Sequence, residues 1–476
     1  MSGVFIKDAV HGYIKLDNEM KKLLINNPFT ERLRYIHQMG GGYLIYVSAH
    51  HTRYEHSLGV YNIATKAFDN IAKDLNYDNE TKDYIRKLIG TAALFHDIGH
   101  TYFSHITENI IYQYGENWAI INEAVNRITR KGKPHERIAC FLLYDNNYLQ
   151  NNGLIRNKIQ EIFNGNNIDK TIRDICKIIV GDDNLETIDK ENRWIVGLIN
   201  GVIDADRLDY MLRDSFMAGF PRTFDLERIV RSYSVYHFGG RNRIVFKHHI
   251  LSSLKHLFDV RDDLYLWVYR HHKVVYVDEL IRRLVFKLIQ HKNNECSKLL
   301  DIKNMLDNYY ADHDLLHIFK KCLRDDPLYN IFLNRSYHKS LWKNWYQYRN
   351  LVLINDIERQ TINLFINKIK REIQDNVLNA INKIELIESE IIQDLHLPSH
   401  SVFLALAKFR PTLLDEVVQQ ETYLLFPGNV LLRLGELNIF HAPMKSHLVL
   451  YLYAIPGINR DRLVKKFIEV LEHYIE

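Results

Sequence analysis

An apolar helical stripe that runs directly into a His-Asp pair constrains this chain of 476 residues more than any other feature. Apolar residues recur at spacings of three and four from Tyr84 to Phe95, and this period predicts a buried helix. His96 and Asp97 follow at its C-terminal end. A rigid helix end can aim an imidazole nitrogen and a carboxylate oxygen at one point, so the pair predicts half of a metal site.

Helical periodicity dominates the rest of the chain, and strand-like alternation is confined to short pieces. Apolar stripes at helical spacing run through residues 195–212, 251–289 and 354–395. The last of these stripes is polar on its other face, which predicts one or two long helices. Alternation predicts strands at residues 13–16, 243–246 and 448–453, with a closing helix over 460–475. We therefore expect a mainly α fold with a smaller α+β C-terminal lobe.

Composition excludes several function classes. Lys and Arg (62) nearly balance Asp and Glu (58), so bulk charge predicts neither nucleic-acid binding nor attraction to a membrane. Charges interrupt every long apolar run, and the N-terminus lacks the apolar core of a signal peptide. The cysteines form no CxxC and are expected to stay unpaired: Cys140, Cys176, Cys296 and Cys322. These features predict a soluble cytoplasmic protein that forms one compact body.

Two further residues can complete a metal site with the His-Asp pair. His56 lies about forty residues before the pair, and Asp206 lies roughly 110 residues after it. Taken alone, each is unremarkable, because the chain holds 24 histidines and a lone histidine is more often a hydrogen-bonded core or surface residue. The combination is more informative, since each candidate lies next to a predicted helix end or turn among small or apolar residues.

Three motifs together resemble one family. They are His-x-Arg-aromatic-Glu-His-Ser-Leu-Gly-Val at 51–60, His-Asp-Ile-Gly-His-x-x-Phe-Ser-His at 96–105 and Ile-Asp-Ala-Asp-Arg-x-Asp-Tyr-x-x-Arg-Asp at 203–214. In this pattern the chain resembles the HD-domain deoxynucleoside triphosphate (dNTP) triphosphohydrolases. The resemblance is strong over residues 1–290 and faint over 291–476. It implies an HD phosphohydrolase core followed by a helical extension and the α+β lobe.

The resemblance implies a divalent metal ion held by four residues: His56, His96, Asp97 and Asp206. Two imidazoles and two carboxylates form a ligand set of intermediate softness, so iron, zinc, manganese and magnesium all remain open. In the family such a centre polarises the α-phosphate and activates water, which attacks the α-phosphorus. The implied products are a deoxynucleoside and intact triphosphate.

Catalytic and substrate-binding residues also follow from the resemblance. The proton for the leaving 5′-oxygen is expected from, or relayed by, His100, Glu108 and His135. Phosphate contacts are expected from Arg53, His105, Arg207 and Arg261, because guanidinium groups suit charged oxygens. Sugar and base contacts are expected from Gln38, Asp214, Tyr210 and Tyr269. For these residues the alternatives are surface ion pairs and ordinary core packing.

Departures from the family pattern keep other functions open. Tyr265 replaces a histidine and Leu266-Trp267 replaces an arginine pair, so the substrate can be a different nucleotide phosphoester. A third possibility is a scaffold that binds nucleic acid or a protein partner, and its support is the aromatic and basic stretch at 338–349. Glu31 replaces a glutamine, and its charge argues against activation by a guanine nucleotide. A homo-oligomer, a dimer or a tetramer, is expected from the family alone.

Overall fold

The structure is a computed structural model that describes residues 3–475 apart from 116, 145–147, 151–152, 164–166, 292–293, 345–346, 349–355, 410–421 and 438–446. The helices are α1 (Asn18–Leu24), α2 (Pro28–Arg32), α3 (Arg53–Ile71), α4 (Asn79–Phe95), α5 (His105–Tyr114), α6 (Asn117–Asn126), α7 (Pro134–Tyr144), α8 (Leu154–Phe163), α9 (Ile168–Val180), α10 (Ala205–Met217), α11 (Leu226–Ser232), α12 (Leu251–Asp263), α13 (His272–Gln290), α14 (Asn294–Ser297), α15 (Ile302–Asp307), α16 (Asp312–Cys322), α17 (Pro327–Asn334), α18 (Asp356–Asp375), α19 (Val377–Asp394) and α20 (Arg460–His473). The strands are β1 (Gly3–Asp8), β2 (Gly12–Asp17), β3 (Tyr233–Phe238), β4 (Arg241–Lys247), β5 (Lys339–Ser340), β6 (Val402–Phe409), β7 (Tyr423–Phe426), β8 (Val430–Arg433) and β9 (His447–Ala454).

The core of the N-terminal part is a layer of packed helices. Helix α3 packs against α4 and α10, and α9 packs against α4 and α7. The apolar stripe predicted from Tyr84 to Phe95 forms most of α4, which starts at Asp78, where the carboxylate accepts the Thr81 backbone N–H at 2.7 Å. Leu88 and Phe95 are fully buried. This packing brings together the start of α3, the C-terminal end of α4 and the first turn of α10.

Three small sheets flank the helices. Strands β1 and β2 form an antiparallel hairpin with Ile6 opposite Ile14. A second sheet has the order β3-β4-β7-β8, and its β4–β7 pair is parallel, so it joins segments far apart in sequence. The third sheet has the order β5-β9-β6 and is antiparallel. The described residues therefore form a mainly α structure with a small α+β lobe, as the sequence predicts.

A buried ion pair connects this lobe to the helical core. Arg283 of α13 donates to both carboxylate oxygens of Glu388 in α19, at 2.7 and 2.8 Å, and to the Leu404 carbonyl at 2.8 Å. Both charged side chains are buried. Removing one partner from such a pair costs about 3–5 kcal/mol, because the other charge stays buried and unpaired.

Two of the predicted helical stripes are interrupted. Residues 195–212 are divided between a 3₁₀ segment, Lys190–Leu198, and α10. The division occurs because Asp204 ends the intervening turn and caps α10, where its carboxylate accepts the Arg207 backbone N–H at 2.8 Å. Residues 251–289 are divided between α12 and α13 by a π-helical turn, Leu264–Tyr269. The stripe at 354–395 forms α18 and α19, as predicted, and residues 354–355 lie outside the described residues.

The expectation of unpaired cysteines is wrong for one pair. Cys296 and Cys322 form a disulfide with their Cα atoms 6.2 Å apart, because α14 and α16 both pack against α13. A separation of 26 residues carries no local signature, so the spacing does not indicate the pairing. Cys140 and Cys176 are free thiols and are buried.

The structure also bears on the membrane and nucleic-acid expectations. Among the residues that the structure describes, no helix combines the length and the apolar character needed to cross a bilayer. In the aromatic and basic stretch, Trp342 and Tyr348 are buried, so their rings form core contacts and offer no stacking surface. Residues 345–346 and 349 of that stretch lie outside the described residues.

Candidate active site

Four predicted metal ligands converge at the end of α4. His56 Nε2 lies 3.0 Å from an Asp206 oxygen and 3.3 Å from His96 Nε2. The Asp97 carboxylate lies 3.4 Å from His96 Nε2 and 3.7 Å from His56 Nε2. All but Asp206 are buried, and Asp206 is 32% exposed. These separations match those of ligands around one ion whose metal–ligand bonds are about 2.0–2.2 Å long.

Both histidines turn Nε2 toward this point. His96 Nδ1 donates to the Ala93 carbonyl at 2.8 Å, and His56 Nδ1 donates to an Asp209 oxygen at 2.8 Å. Because carbonyl and carboxylate oxygens only accept, each Nδ1 carries a hydrogen, and His96 Nε2 is available as an acceptor. His56 Nε2 lies 3.0 Å from an Asp206 oxygen and carries a second hydrogen, which a cation would replace. Ligand atoms of His56, His96 and Asp206 lie within 4.8 Å of one another, and the Asp97 carboxylate borders them. The residues therefore fit a divalent metal.

The electrostatics of the cluster agree with this donor set. Burial alone would lower the pKa of His56, but hydrogen bonds to Asp206 and Asp209 raise the pKa to about 10. A proton on His56 thus compensates the carboxylates when no metal is bound. Burial opposes ionisation of Asp97, yet Arg53 and His96 hold the pKa of its carboxyl well below the usual range. The carboxylates are therefore charged near neutral pH.

A second cluster of polar side chains adjoins the first. Glu108 of α5 lies between His100 and His135, whose Nδ1 atoms approach its Oε1 at 2.7 and 3.2 Å. The angles at these atoms are unsuitable for hydrogen bonds, so the pairs interact electrostatically at short range. The His100 and His135 rings stack 4.0 Å apart. With His105, this group could also hold a metal, because one ligand atom from each residue lies within 4.8 Å of the others.

The two clusters share Asp97, and their histidines differ in proton affinity. One Asp97 oxygen lies 3.1 Å from His100 Nε2, so Asp97 contacts both groups. Burial and the charges of Arg53 and His135 lower the pKa of His100 to about 3. Although burial opposes it, Glu108 raises the pKa of His135. Of the two rings, His135 therefore holds a proton more tightly, and Glu108 is the group that raises its proton affinity.

The loops of the site need special backbone conformations. A Cβ on Gly99 would lie 2.1 Å from the His135 carbonyl oxygen, so only glycine lets α7 approach the His-Asp turn this closely. Phe103 and Ser104 both have φ above +50°, which is rare for residues with side chains. Asp312 holds this turn, because its carboxylate accepts the backbone N–H of Phe103 at 2.6 Å and that of His37 at 2.9 Å.

The predicted sugar, base and remaining phosphate contacts differ in burial and in partners. Asp214 accepts hydrogen bonds from His51 at 2.7 Å and from the Tyr269 hydroxyl at 2.5 Å. Gln38 is buried, and its Oε1 has no hydrogen-bond partner among the described residues. The Tyr269 hydroxyl contacts a carboxylate here, so stacking on a base stays a prediction. The other predicted contacts are half-buried Tyr210, Arg207 beside Asp204 at 3.7 Å, and buried Arg261 over the Tyr265 ring.

Two predicted phosphate contacts are differently placed. Arg53 is buried, and it donates to Asp97 at 2.8 Å and to the Ser104 hydroxyl at 2.9 Å. His105 has a side chain that is 58% exposed, and it lies 3.1 Å from a Glu108 oxygen. Of the two, His105 is the more open to a ligand. Phosphate binding by either residue stays a prediction.

Sequence reasoning missed the residues behind the metal ligands. Asp209 binds His56, and His11 and Arg213 bind Asp209. Asp209 stands three positions after Asp206 on α10, so a second carboxylate one helical turn further on was a usable signal. No such signal pointed to His11 or to Asp312.

Comparisons with known proteins point to one family. Residues 53–211 match the model of the HD domain family. An uncharacterized protein of Methanocaldococcus jannaschii is 31% identical over 77% of this chain and 64% of its own length. An uncharacterized protein of Bacillus subtilis is 29% identical over 56% of this chain and 51% of its own. The deoxynucleoside triphosphate triphosphohydrolase SAMHD1 of Danio rerio is 26% identical over 66% of this chain and 50% of its own. The match thus covers less than two thirds of these relatives.

Proposed function

Because the chain carries an HD domain over residues 53–211, we propose that it is a metal-dependent phosphohydrolase that converts a dNTP to deoxynucleoside and triphosphate. The observation that carries the proposal is the meeting of two clusters at Asp97. One offers imidazole nitrogens and carboxylates that fit a cation, and in the other Glu108 raises the pKa of His135. Similarity to a protein named as a dNTP triphosphohydrolase supports the choice of substrate.

The metal position is assigned to His56, His96, Asp97 and Asp206. When bound, a divalent cation supplies Lewis-acid polarisation of the α-phosphate and makes nearby water more acidic. Iron, zinc, manganese and magnesium all suit two imidazoles and two carboxylates. Asp97 is kept ionised by Arg53, so its carboxylate is ready to bind a cation near neutral pH.

The proton for the leaving group is assigned to His135. Water attacks the α-phosphorus and the bond to the 5′-oxygen breaks, so that oxygen needs a proton as it leaves. Glu108 keeps the proton on the His135 imidazole until it is transferred. His100 is neutral, and it lies between Asp97 and Glu108, where it can pass a proton between the two clusters.

The sugar is assigned to the pocket around Asp214. A 3′-hydroxyl can donate to Asp214 and accept from the amide of Gln38. The half-buried Tyr210 ring is assigned to the C2′ face of the sugar, where it leaves no room for a second hydroxyl. These contacts favour a deoxyribose over a ribose.

Product analysis tests the proposal. The full chain is stripped of metal, reloaded with Fe²⁺, Zn²⁺, Mn²⁺ or Mg²⁺, and incubated with each of the four dNTPs, with and without GTP. We expect deoxynucleoside and triphosphate in equal amounts, with ¹⁸O from labelled water in the triphosphate. Orthophosphate without triphosphate would assign the site to another nucleotide phosphoester. No product with any metal would refute phosphohydrolase activity on dNTPs.

A matched pair of variants connects the activity to the site. Asp206→Asn removes one charge from the metal position and should abolish turnover. Asp225→Asn makes the same change at the exposed N-terminal end of α11, where the side chain accepts the Arg228 backbone N–H at 3.0 Å. Asparagine can keep that cap, so this control should retain full activity.

A further inference from the structure

A single buried carboxylate connects the N-terminal hairpin to a metal ligand. Asp209 is fully buried, and one of its oxygens accepts the His56 Nδ1 hydrogen at 2.8 Å. Its other oxygen lies 2.5 Å from Nε2 of His11, in the turn between β1 and β2. Arg213 donates to both oxygens, at 2.9 and 3.0 Å. The carboxylate is therefore held on three sides.

The hairpin turn is built to present His11 to this carboxylate. Asp8 accepts the backbone N–H groups of Val10 and His11 at 2.9 and 2.8 Å, which fixes the turn. The other oxygen of Asp8 accepts from Arg213 at 2.8 Å. The His11 side chain is only 3% exposed, although Phe5 and Tyr13 on the same hairpin are largely exposed. The His11 side chain thus points into the protein, while the turn itself stays partly exposed and the outer face of the hairpin faces solvent.

Helix α3 makes room for this arrangement at Gly59. A Cβ at that position would lie 1.7 Å from an Asp209 oxygen and 2.7 Å from an Arg213 nitrogen. No side chain fits there while Asp209 stays in place. The glycine three residues after His56 therefore has a specific purpose, because it lets the carboxylate reach the ring from behind.

We infer that His11 is a positioning residue for the metal centre, acting through Asp209 on His56. By holding Asp209, the hairpin fixes the His56 ring with Nδ1–H toward the carboxylate and Nε2 toward the metal position. Partners behind a ligand histidine set its tautomer, orientation and basicity, and losing one typically weakens metal binding about 10- to 100-fold. The inference rests on the metal site of the proposed function, and it makes the hairpin of residues 3–17 part of that site.

Metal affinity tests the inference without using activity. Co²⁺ or Mn²⁺ is bound to the full chain in competition with a chelator, and the visible spectrum of the Co²⁺ form reports the ligand field. His11→Phe keeps a ring and removes the donor, so its Kd should rise at least tenfold, with an altered spectrum. His11→Gln restores an N–H donor and should recover most of the loss.

A control separates positioning from loss of folding. Ile14→Val lies in the same hairpin at a fully buried position, opposite Ile6, and has no contact with Asp209 among those described. It should lower stability and leave the Kd unchanged. An unchanged Kd in His11→Phe, or an equal rise in Ile14→Val, would overturn the inference even if dNTPs are hydrolysed. A Kd that responds to His11 in a protein inactive on dNTPs would refute the proposed substrate and keep the inference.

Discussion

Gly59→Ala should destabilise this protein, although the same change stabilises most helices. Alanine is favoured over glycine in a helix interior by about 1 kcal/mol, and Gly59 is the seventh residue of the 19-residue helix α3. Here the new Cβ would lie 1.7 Å from an Asp209 oxygen and 2.5 Å from its Cγ. Ordinary contacts are about 3.5–4.0 Å, so the carboxylate must leave its position.

The cost follows from what Asp209 holds. Moving it takes the Nδ1 acceptor from the buried His56 ring and one of two carboxylate partners from the buried Arg213 guanidinium, which keeps Asp8. Breaking a buried pair costs about 3–5 kcal/mol. Subtracting the helix preference of alanine leaves a net loss of about 2–4 kcal/mol. Metal affinity should fall as well, since the His56 ring loses the contact that orients it.

Urea unfolding of the metal-free protein, followed by circular dichroism, measures this loss. Gly197→Ala is the control, because its Cβ would meet only the end of the Ile244 side chain, at 3.0 Å. In an Asp209→Ala background the cost of Gly59→Ala should nearly vanish, so the coupling energy should equal the net loss of about 2–4 kcal/mol. A Gly59→Ala protein as stable as the original chain would refute this reasoning.

Three further changes have expected outcomes. Glu108→Gln should lower kcat by about 10²–10⁴-fold, because it removes the charge that raises the pKa of His135. The metal content, measured by mass spectrometry, should not change, and near-normal turnover would contradict the proposed role. Burial raises the pKa of Asp278 to about 7. Between about pH 4 and 7 the folded protein therefore keeps a proton that the unfolded chain has lost, so the free energy of unfolding falls as the pH rises through this window. Asp278→Asn removes this dependence, so its stability relative to the original chain should be higher at pH 8 than at pH 5 by about 2–3 kcal/mol in urea unfolding. An equal difference at both pH values would count against it. Cys296→Ser should lose about 3 kcal/mol and match the original protein in reductant, whereas unfolding that ignores reductant would exclude the disulfide.

The sequence predicted those features whose cause is local. Helix α4 and the short strands follow from periods of 3.6 and 2, which each segment carries within itself. The proposed metal ligands could be selected from the sequence because His96 and Asp97 are neighbours and the other two lie in recognisable runs. Their convergence within 3.0–3.9 Å depends on how α3, α4 and α10 pack, which the runs do not describe.

The residues that hold the site were harder to predict, because their partners are distant. His11 and Asp209 are 198 positions apart, and Asp312 contacts His37 across 275 positions. An isolated histidine in a hairpin turn has the same local pattern whether it faces solvent or a buried carboxylate. The break within residues 195–212 was also missed, because an apolar stripe continues through a turn that only the cap at Asp204 reveals.

The contact of Arg53 with Asp97 is compatible with the phosphate binding expected of this residue. Its guanidinium was expected to face phosphate oxygens, and the structure places it on Asp97, Ser104 and the Gln38 carbonyl. These contacts use three of the five N–H donors of an arginine, so two donors remain for a phosphate beside the metal position. The contact with Asp97 keeps the guanidinium in a fixed orientation, which reduces the entropy that a phosphate contact must overcome. Lysine has a single ammonium nitrogen in place of the forked guanidinium. Arg53→Lys would therefore keep the charge and lose either the hydrogen bond to Asp97 or the phosphate contact.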